Sequence, residues 1–274
     1  MAILFRRLHL ESASTLVCLL CACLDIVCVL LAGYFCVTFF NGLFPTRDRP
    51  FLCDDPTLMK PFKANTISVR FLLAVCLGFP LMLSLVVESL NRLSSMTKRG
   101  PGWLKRILAS VTYISMEYIV GFLADVIIML VGKSYFGVLR PHFLAVCQPD
   151  VDLYECKGKL LTVESCTQRS YKDLESARHS FPSGHASAAV YSFMFLTFYL
   201  TQRRKQVRKK YVSYLCNFIL ATYFVWVVVC CVSRVTDNWH HWTDVLGGCI
   251  EGFVISCLLF TRKGSAIRTA MMLS

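Results

Sequence analysis

The residues best suited to chemistry lie in a stretch near the end of the chain, Ser233–Asp244. It contains Arg234, His240 and, four residues after that histidine, Asp244. If this segment is helical, His240 and Asp244 lie one turn apart on one face, so the carboxylate can accept the Nδ1 proton and leave Nε2 free to attack. Arg234 could grip a phosphate with its planar guanidinium. The alternative is a buried His–Asp pair that only packs helices together.

Two segments upstream also carry groups that bind anions. Lys133 and Arg140 are seven residues apart and would project from one face of a helix, two turns along. The segment 181–185 places the hydroxyl of Ser183 and free backbone N–H groups at a predicted helix start, where the helix dipole favours an anion. His185 could protonate a leaving oxygen. The alternatives are a snorkelling Lys–Arg pair, a plain N-cap serine and a surface histidine.

The composition predicts a membrane protein. Of the 274 residues, 55% are hydrophobic, which exceeds the share in ordinary soluble domains. The expected fold is an all-α integral membrane protein with a helical outer-loop region, forming one domain over residues 1–274. Asp125, in the third apolar run, is expected to hydrogen-bond to a neighbouring helix. Six apolar runs are long enough to be transmembrane helices, at about 14–40, 66–90, 107–132, 185–201, 211–233 and 241–261.

The positive charges predict the orientation of these helices. More than half of the 29 Lys and Arg residues fall at the N-terminus, in the second and fourth connections and in the C-terminal tail. By the positive-inside rule these segments are cytosolic, so both termini are cytosolic and the motif-bearing ends of spans three to six share the outer face. The net charge of +12 therefore reflects topology. Nucleic acid is a disfavoured partner because the charges sit in short loops.

Two outer loops are expected around the site. The first, about 41–65, should be irregular, and the second, about 133–184, should be partly helical around 171–178. Both would face an oxidising compartment, where disulfides persist. Cys156–Cys166 is the preferred pair because it closes a short loop, although three connectivities and unpaired thiols remain open. The four cysteines in these loops are Cys53, Cys147, Cys156 and Cys166.

The three segments together resemble the signature of the type 2 phosphatidic acid phosphatase superfamily. Within it, the chain is most similar to animal lipid phosphate phosphatases, over its whole length and including the outer-loop stretch 49–53. There are two departures: Pro182 stands where the animal relatives often have another residue, and the second outer loop lacks their usual glycosylation sequon. The matching residues are Lys133-x6-Arg140-Pro141, Pro182-Ser183-Gly184-His185 and Ser233-Arg234-x5-His240-x3-Asp244.

The resemblance implies a metal-independent lipid phosphate phosphatase that forms a phosphohistidine. His240 would be the nucleophile, Asp244 its orienting partner, and His185 the general acid and then the general base. The implied substrates are phosphatidate, lysophosphatidate, sphingosine 1-phosphate and ceramide 1-phosphate, without a cofactor or metal. The implied phosphate-binding residues are Lys133, Arg140, Ser183, Gly184 and Arg234.

The remaining expectations concern partners and location. Lipid phosphates and membrane lipids are the implied partners, while the preferred lipid and any homo-oligomer stay open. The plasma membrane is the expected location, with Golgi and endoplasmic reticulum as alternatives and the active site extracellular or lumenal. The alternative function is a catalytically silent membrane scaffold or signalling relative, which would be expected to have lost a motif residue. A transporter is disfavoured because the polar residues cluster at one membrane edge.

Overall fold

The apolar runs form long helices in this computed structural model, which describes residues 15–40, 45–94, 103–151, 156–168, 170–207 and 209–261. A π-helical turn, Ala74–Gly78, joins the second helix to the third. Two short strands, β1 (Phe51–Leu52) and β2 (Leu160–Leu161), lie in the loops. In chain order the helices are α1 (Thr15–Phe40), α2 (Val69–Leu73), α3 (Phe79–Ser94), α4 (Trp103–Phe136), α5 (Phe143–Cys147), α6 (Tyr171–Ala177), α7 (Gly184–Val207), α8 (Lys210–Thr236) and α9 (Trp242–Phe260).

Four helices in the described ranges are long and apolar enough to cross a membrane: Val69–Leu90, Ser110–Phe136, Lys210–Thr236 and Trp242–Phe260. They match the second, third, fifth and sixth predicted spans. The first predicted span is helical, but its described apolar stretch, Ile26–Phe39, is shorter. The fourth falls within α7, which is long but less apolar. The chain is therefore a multi-pass membrane protein, and the count of six spans stays a prediction.

Helix α7 lies at the centre of the bundle, which explains its mixed composition. It contacts α8 and α9 most extensively, and also α4. Buried side chains on it include Tyr191, Phe195 and Tyr199. Gly248 and Gly252 of α9 lie against the backbone carbonyls of Ser183, just before α7, and of Ser187 within it, and a Cβ at either glycine would collide with them. A helix surrounded by other helices needs small and hydrogen-bonding residues rather than a lipid-facing apolar surface.

Hydroxyl groups satisfy polar atoms inside this bundle. Ser187 Oγ on α7 donates to Asp125 Oδ1 on α4 at 2.6 Å, so the predicted interhelical hydrogen bond of Asp125 is confirmed. At the π-helical turn, the carbonyl of Cys76 accepts a 2.8 Å bond from Ser192 Oγ and a bond from the hydroxyl of Tyr118. Carbonyl groups left free by a helix irregularity need such partners where water is excluded.

An ion pair is buried at the end of α7 far from the motifs. Arg203 on α7 pairs with Glu88 on α3, and both side chains are almost fully buried. Tyr199 also donates to Glu88 Oε1 at 2.9 Å. In the sequence, Arg203 falls in the basic fourth connection, between the predicted spans 185–201 and 211–233. The structure places it inside the bundle instead, because Glu88 offers a buried partner that its position in an apolar run concealed.

The two outer loops form a small cap at the end of the bundle that carries the motifs, hereafter the motif end. Strands β1 and β2 pair antiparallel, with Phe51 opposite Leu161. Two disulfides, Cys53–Cys156 and Cys147–Cys166, tie the cap together, with Cα–Cα distances of 6.1 and 4.7 Å. The preferred pairing Cys156–Cys166 was therefore wrong. The strand pair brings the first outer loop to Cys156, a contact between distant segments that sequence separation cannot reveal.

Helix α6 fastens the first outer loop next to the site. Its position confirms the helix predicted around 171–178. Arg178, at its C-terminal end, pairs with Glu175 Oε2 at 3.0 Å and with Asp48 of the first outer loop. Its guanidinium also donates to the Thr46 carbonyl at 3.1 Å. These contacts fix the chain just before residues 179–183.

Candidate active site

The first motif ends helix α4 and enters a turn. The helix stops at Phe136, and Gly137 has a φ of +54°, with the Arg47 carbonyl so close that a Cβ would collide. Lys133 and Arg140 therefore do not share a helix face, as the sequence suggested. They still converge, because the carbonyl of His179 accepts from Lys133 Nζ at 2.7 Å and from Arg140 Nη2 at 3.4 Å.

Arg140 retains unused hydrogen-bond donors. Its Nε and Nη1 are buried and have no partner among the described residues. The guanidinium carbon lies 4.6 Å from the centre of the Trp239 ring, a cation–π contact that holds the group in place. Buried donors without partners are costly in a folded protein unless a ligand uses them. Their position beside Lys133 fits an anionic ligand.

The second motif begins helix α7. Ser183 is fully buried, and its backbone N–H donates to the Asp244 carbonyl at 3.0 Å. Its hydroxyl has no partner among the described residues, so it does not serve as the N-cap that was the plain alternative. His185 directs Nε2 to the Ile67 carbonyl at 3.1 Å. In the neutral ring with a proton on Nε2, Nδ1 carries the lone pair.

The third motif joins helices α8 and α9. Arg234 lies in the last turn of α8, and its carbonyl accepts from the backbone N–H of Trp239 and of His240 at 3.0 and 3.1 Å. Asn238 between them has a φ of +62°, so the chain turns sharply before α9 begins at Trp242. His240 therefore precedes the helix, and the predicted helical spacing of His240 and Asp244 is wrong.

The position of His240 changes its orienting partner. Its Nδ1 lies 2.7 Å from the Ser180 carbonyl and 4.0 Å from Asp244 Oδ2. The Nδ1 proton thus goes to the carbonyl, and Nε2 is left with the lone pair. Asp244 Oδ2 instead accepts from Ser180 Oγ at 2.6 Å and from the backbone N–H of His241 at 2.8 Å. Asp244 reaches His240 through Ser180 rather than directly.

Three connected segments thus meet at the motif end: the end of α4 with its turn, the start of α7, and the loop from α8 to α9. Two adjacent backbone carbonyls link these segments. The His179 carbonyl accepts from Lys133 and Arg140, and the Ser180 carbonyl accepts from His240. Within the described ranges, no group of three or more His, Cys, Asp or Glu side chains could hold a metal ion.

Comparison with known proteins identifies the family of this chain. The model of the PAP2 superfamily matches residues 114–267, more than half of the chain and all three motifs. The chain belongs to the phospholipid phosphatase family of this superfamily. It is 31% identical to phospholipid phosphatase 1 of Mus musculus over 244 residues, covering 86% of this chain and 82% of that protein. It is 30% identical to phospholipid phosphatase 2 of Rattus norvegicus over 241 residues, covering 86% and 83%. No solved structure matches the chain.

The site of this phospholipid phosphatase family member is strongly cationic. Burial and the neighbouring charge of Arg234 lower the pKa of Arg140 to about 9, so its guanidinium stays charged at neutral pH. Burial lowers the pKa of His240 well below its ordinary value, and the charges of Lys133, Arg140 and His185 lower it further. A neutral histidine among fixed positive charges has the properties that a nucleophile acting on an anion requires.

Two further histidines near the motifs, His142 and His241, have structural contacts. His142 directs Nδ1 to the Asn238 carbonyl at 2.7 Å, and His241 directs Nε2 to the Leu139 carbonyl at 3.1 Å. Each bond ties the turn after α4 to the loop before α9. One ring nitrogen of each histidine is therefore engaged with the backbone.

Ser180 is the residue that sequence reasoning missed. It has no exposed surface, and it holds His240 with its carbonyl and Asp244 with its hydroxyl. No sequence motif marks a serine two residues before a Pro-Ser-Gly-His segment. Its contact with His240 is made by the backbone carbonyl, which every residue type has. The only signal was its position beside the second motif.

Removal of the Ser180 hydroxyl should slow catalysis without moving His240 far. In Ser180→Ala the carbonyl that holds Nδ1 remains, while Asp244 loses a charge-assisted bond, for which about 1.5–3 kcal/mol is typical. We expect kcat to fall about 10- to 100-fold. Initial rates of phosphate release from purified Ser180→Ala and Ser180→Thr would measure this. Thr retains a hydroxyl, so equal loss in both variants would contradict a role for that bond.

Acid should destabilise the motif end. Burial is the main cause that lowers the pKa values of His142, His179 and His240, and that of His179 falls to about 3. The unfolded chain therefore binds more protons than the folded protein once pH falls below about 6.5. Stability should be constant above that value and decrease as pH falls from about 6.5 towards 4. Thermal unfolding in detergent across this range would test it; greater stability at lower pH would contradict these shifts.

Proposed function

We propose that this protein is a metal-independent lipid phosphate phosphatase that works through a phosphohistidine intermediate. The proposal rests on one observation above all. His240 is oriented by the Ser180 carbonyl and lies near Arg140, whose buried Nε and Nη1 have no partner among the described residues. A phosphate ester is the ligand that both uses such donors and offers an electrophile to the histidine.

In the first step, His240 Nε2 attacks phosphorus in line and the bond to the lipid oxygen breaks. His185 enters this step as the imidazolium, with one proton on Nε2 facing the Ile67 carbonyl, and donates the other proton, from Nδ1, to the departing alkoxide. Asp244 and Ser180 hold the nucleophile and stabilise the positive charge that it gains. In the second step, the neutral His185 takes a proton from water, the hydroxide attacks phosphorus, and His240 leaves as inorganic phosphate forms.

The non-bridging oxygens would be held by the cationic side chains and the start of helix α7. Lys133 and Arg140 both donate to the His179 carbonyl. At the start of α7, beside the Gly184 N–H, the buried Ser183 hydroxyl has no partner among the described residues. Such preorganised donors stabilise the charge of the transition state, and removal of one typically costs about 10²–10³ in kcat. Arg234 adds a further positive charge.

The proposed substrates are phosphatidate, lysophosphatidate, sphingosine 1-phosphate and ceramide 1-phosphate. The relatives named above are phospholipid phosphatases. A phosphate site at the ends of membrane helices lets the acyl chains stay in the lipid. Recognition mainly of phosphate gives broad specificity. The plasma membrane, with the motif end facing outward, is the proposed location.

One experiment tests both activity and sidedness. Intact cells that express the protein are given a lipid phosphate that cannot cross the membrane, in excess EDTA, and inorganic phosphate is measured. We expect release that vanadate, a phosphate mimic, inhibits. An absolute requirement for Mg²⁺ would contradict the mechanism. Release only after permeabilisation would contradict the orientation, and no release in either state would favour the silent scaffold.

A further inference from the structure

The end of the first outer loop, residues 60–67, contacts all three motifs although it has almost no regular structure. We call this segment the outer strap. The backbone N–H of Lys60 donates to the carbonyl of Pro141 in the first motif at 2.9 Å. The carbonyl of Ile67 contacts Nε2 of His185 in the second motif. Six more go to the third motif, two of them from Thr66 to Asp237. The other four are Asn238 Nδ2 to the Pro61 carbonyl, Trp239 Nε1 to the Lys63 carbonyl, Lys63 Nζ to the Thr236 carbonyl, and Arg234 to Asn65.

Arg234 is held differently from Arg140. Its side chain is 1% exposed, and Nη1 donates to Asn65 Oδ1 at 2.6 Å. Its Nε and Nη2 donate to Ser233 Oγ at 3.1 and 3.0 Å, and Nη2 also reaches Asp237 Oδ2 at 3.2 Å. Three of its nitrogens thus have protein partners. One hydrogen on Nη1 remains without a partner among these contacts, and its direction depends on Asn65, Ser233 and Asp237, which hold the rest of the guanidinium.

The outer strap also fixes the carboxylate that pairs with Arg234. Thr66 donates its backbone N–H and its hydroxyl to the two oxygens of Asp237, each at 2.8 Å. Asn65 and Thr66, adjacent in the chain, therefore hold Arg234 and Asp237 from the same side. A guanidinium held on both sides by neighbouring residues of one segment cannot rotate independently of that segment.

We propose that Asn65 is a positioning residue, which sets the orientation of Arg234 towards the phosphate of the substrate. This inference rests on the proposed function, because it assigns Arg234 to the phosphate. The amide oxygen accepts from Nη1 without adding charge. It leaves the second Nη1 hydrogen to the ligand. The outer strap thus acts as part of the active site, although no motif lies within it.

The test compares Asn65→Leu, which removes the acceptor, with Asn65→Asp, which keeps an oxygen at the same place. Asn65 is exposed on its outer side, so the changes should leave the bundle folded. We expect kcat/KM for a lipid phosphate to fall about 10- to 100-fold in Asn65→Leu, with vanadate inhibition weakened to a similar extent. Asn65→Asp keeps the acceptor but adds a negative charge near the phosphate, so its loss should be smaller than that of Asn65→Leu.

The chain offers a matched control on another Asn–Arg pair. Asn217 Oδ1 accepts from Arg204 Nη1 at 2.9 Å, on helices α8 and α7 and away from the motif end. Asn217→Leu removes the same kind of bond and should leave kcat/KM and vanadate inhibition unchanged. In an Arg234→Lys background, which lacks the guanidinium, Asn65→Leu should add less than about threefold.

Several outcomes would overturn the proposal. If Asn65 is only structural, Asn65→Leu will lower the unfolding temperature while the folded fraction keeps wild-type kcat/KM and vanadate inhibition. A full additive loss in the Arg234→Lys background would show that Asn65 acts elsewhere. If Asn65→Leu does not accumulate, Asn65→Ser provides the same comparison. If the wild type releases no phosphate, the proposed function fails, and the shift in unfolding temperature caused by vanadate in each variant still reports on Asn65.

Discussion

Replacement of His240 by alanine is expected to stop phosphate release while the protein still reaches the membrane. The Ser180 carbonyl holds Nδ1 of this imidazole and leaves Nε2 with the lone pair that would attack phosphorus. Loss of a nucleophile typically lowers kcat by about 10⁴-fold or more. Phosphate release from a lipid phosphate by the purified variant measures the effect. Turnover within about tenfold of the wild type would remove His240 as the nucleophile.

The neighbouring histidine provides the matched control. His241 bonds to the Leu139 carbonyl and caps helix α9. Because asparagine is also a good N-cap, His241→Asn should keep most of the activity.

His185→Ala should be inactive on lipids, yet accumulate phosphoenzyme from an ester whose leaving group needs no proton. The label should resist alkali and be lost in acid, as expected for phosphohistidine. Absence of that label in His185→Ala would contradict its role as the base of the second step.

Arg140 should have the second largest effect, because its unused donors are the most direct sign of a ligand. In Arg140→Ala these buried donors and a fixed charge are lost together, and we expect kcat/KM to fall about 10²–10³-fold. Arg140→Lys keeps the charge but loses the planar fork and the stacking on Trp239, so its activity should be intermediate. Steady-state kinetics and vanadate inhibition would measure both variants.

Arg70 offers a control for the loss of a positive charge. It is exposed on α2, in a short helix that follows the outer strap. Arg70→Ala should leave kcat/KM unchanged at moderate ionic strength, because exposed charges are screened. If Arg140→Ala and Arg70→Ala had equal, small effects, the unpartnered donors of Arg140 would not be a phosphate site.

Residue types and their positions at the ends of apolar runs predicted which side chains lie near one another. Lys133, Arg140, His185, Arg234 and His240 meet at one end of the bundle. This proximity could be predicted because polar groups at membrane edges are costly, so several at matching ends indicate a shared site. It needed only the order of the helices, not their detailed geometry.

The local geometry was not predictable, for a physical reason. Gly137 and Asn238 adopt left-handed backbone conformations that break the helical spacing on both sides of the site. The contacts that replace it go to backbone carbonyls of His179 and Ser180, which any residue type could supply. The role of Asn65 likewise depends on the path of an irregular loop. Periodicity carries no information about such contacts.

The span count shows a similar limit. Hydropathy identifies helices that face lipid, and α8, with exposed valines and phenylalanines along its length, is an example. Helix α7 is covered by its neighbours, and its serines and tyrosines bond to α4 and to the π-helical turn. A central helix therefore looks less like a span than the helices around it.

The disulfides have a consequence for biosynthesis. In chain order the bridges interleave, because Cys147 lies between the two partners Cys53 and Cys156. During synthesis Cys53 emerges first and meets Cys147 before its own partner is available. Pairing in order of emergence would thus lock the cap incorrectly, so maturation should depend on thiol exchange by a disulfide isomerase. Protein produced in a reducing cytoplasm should lack both disulfides of the cap at the motif end.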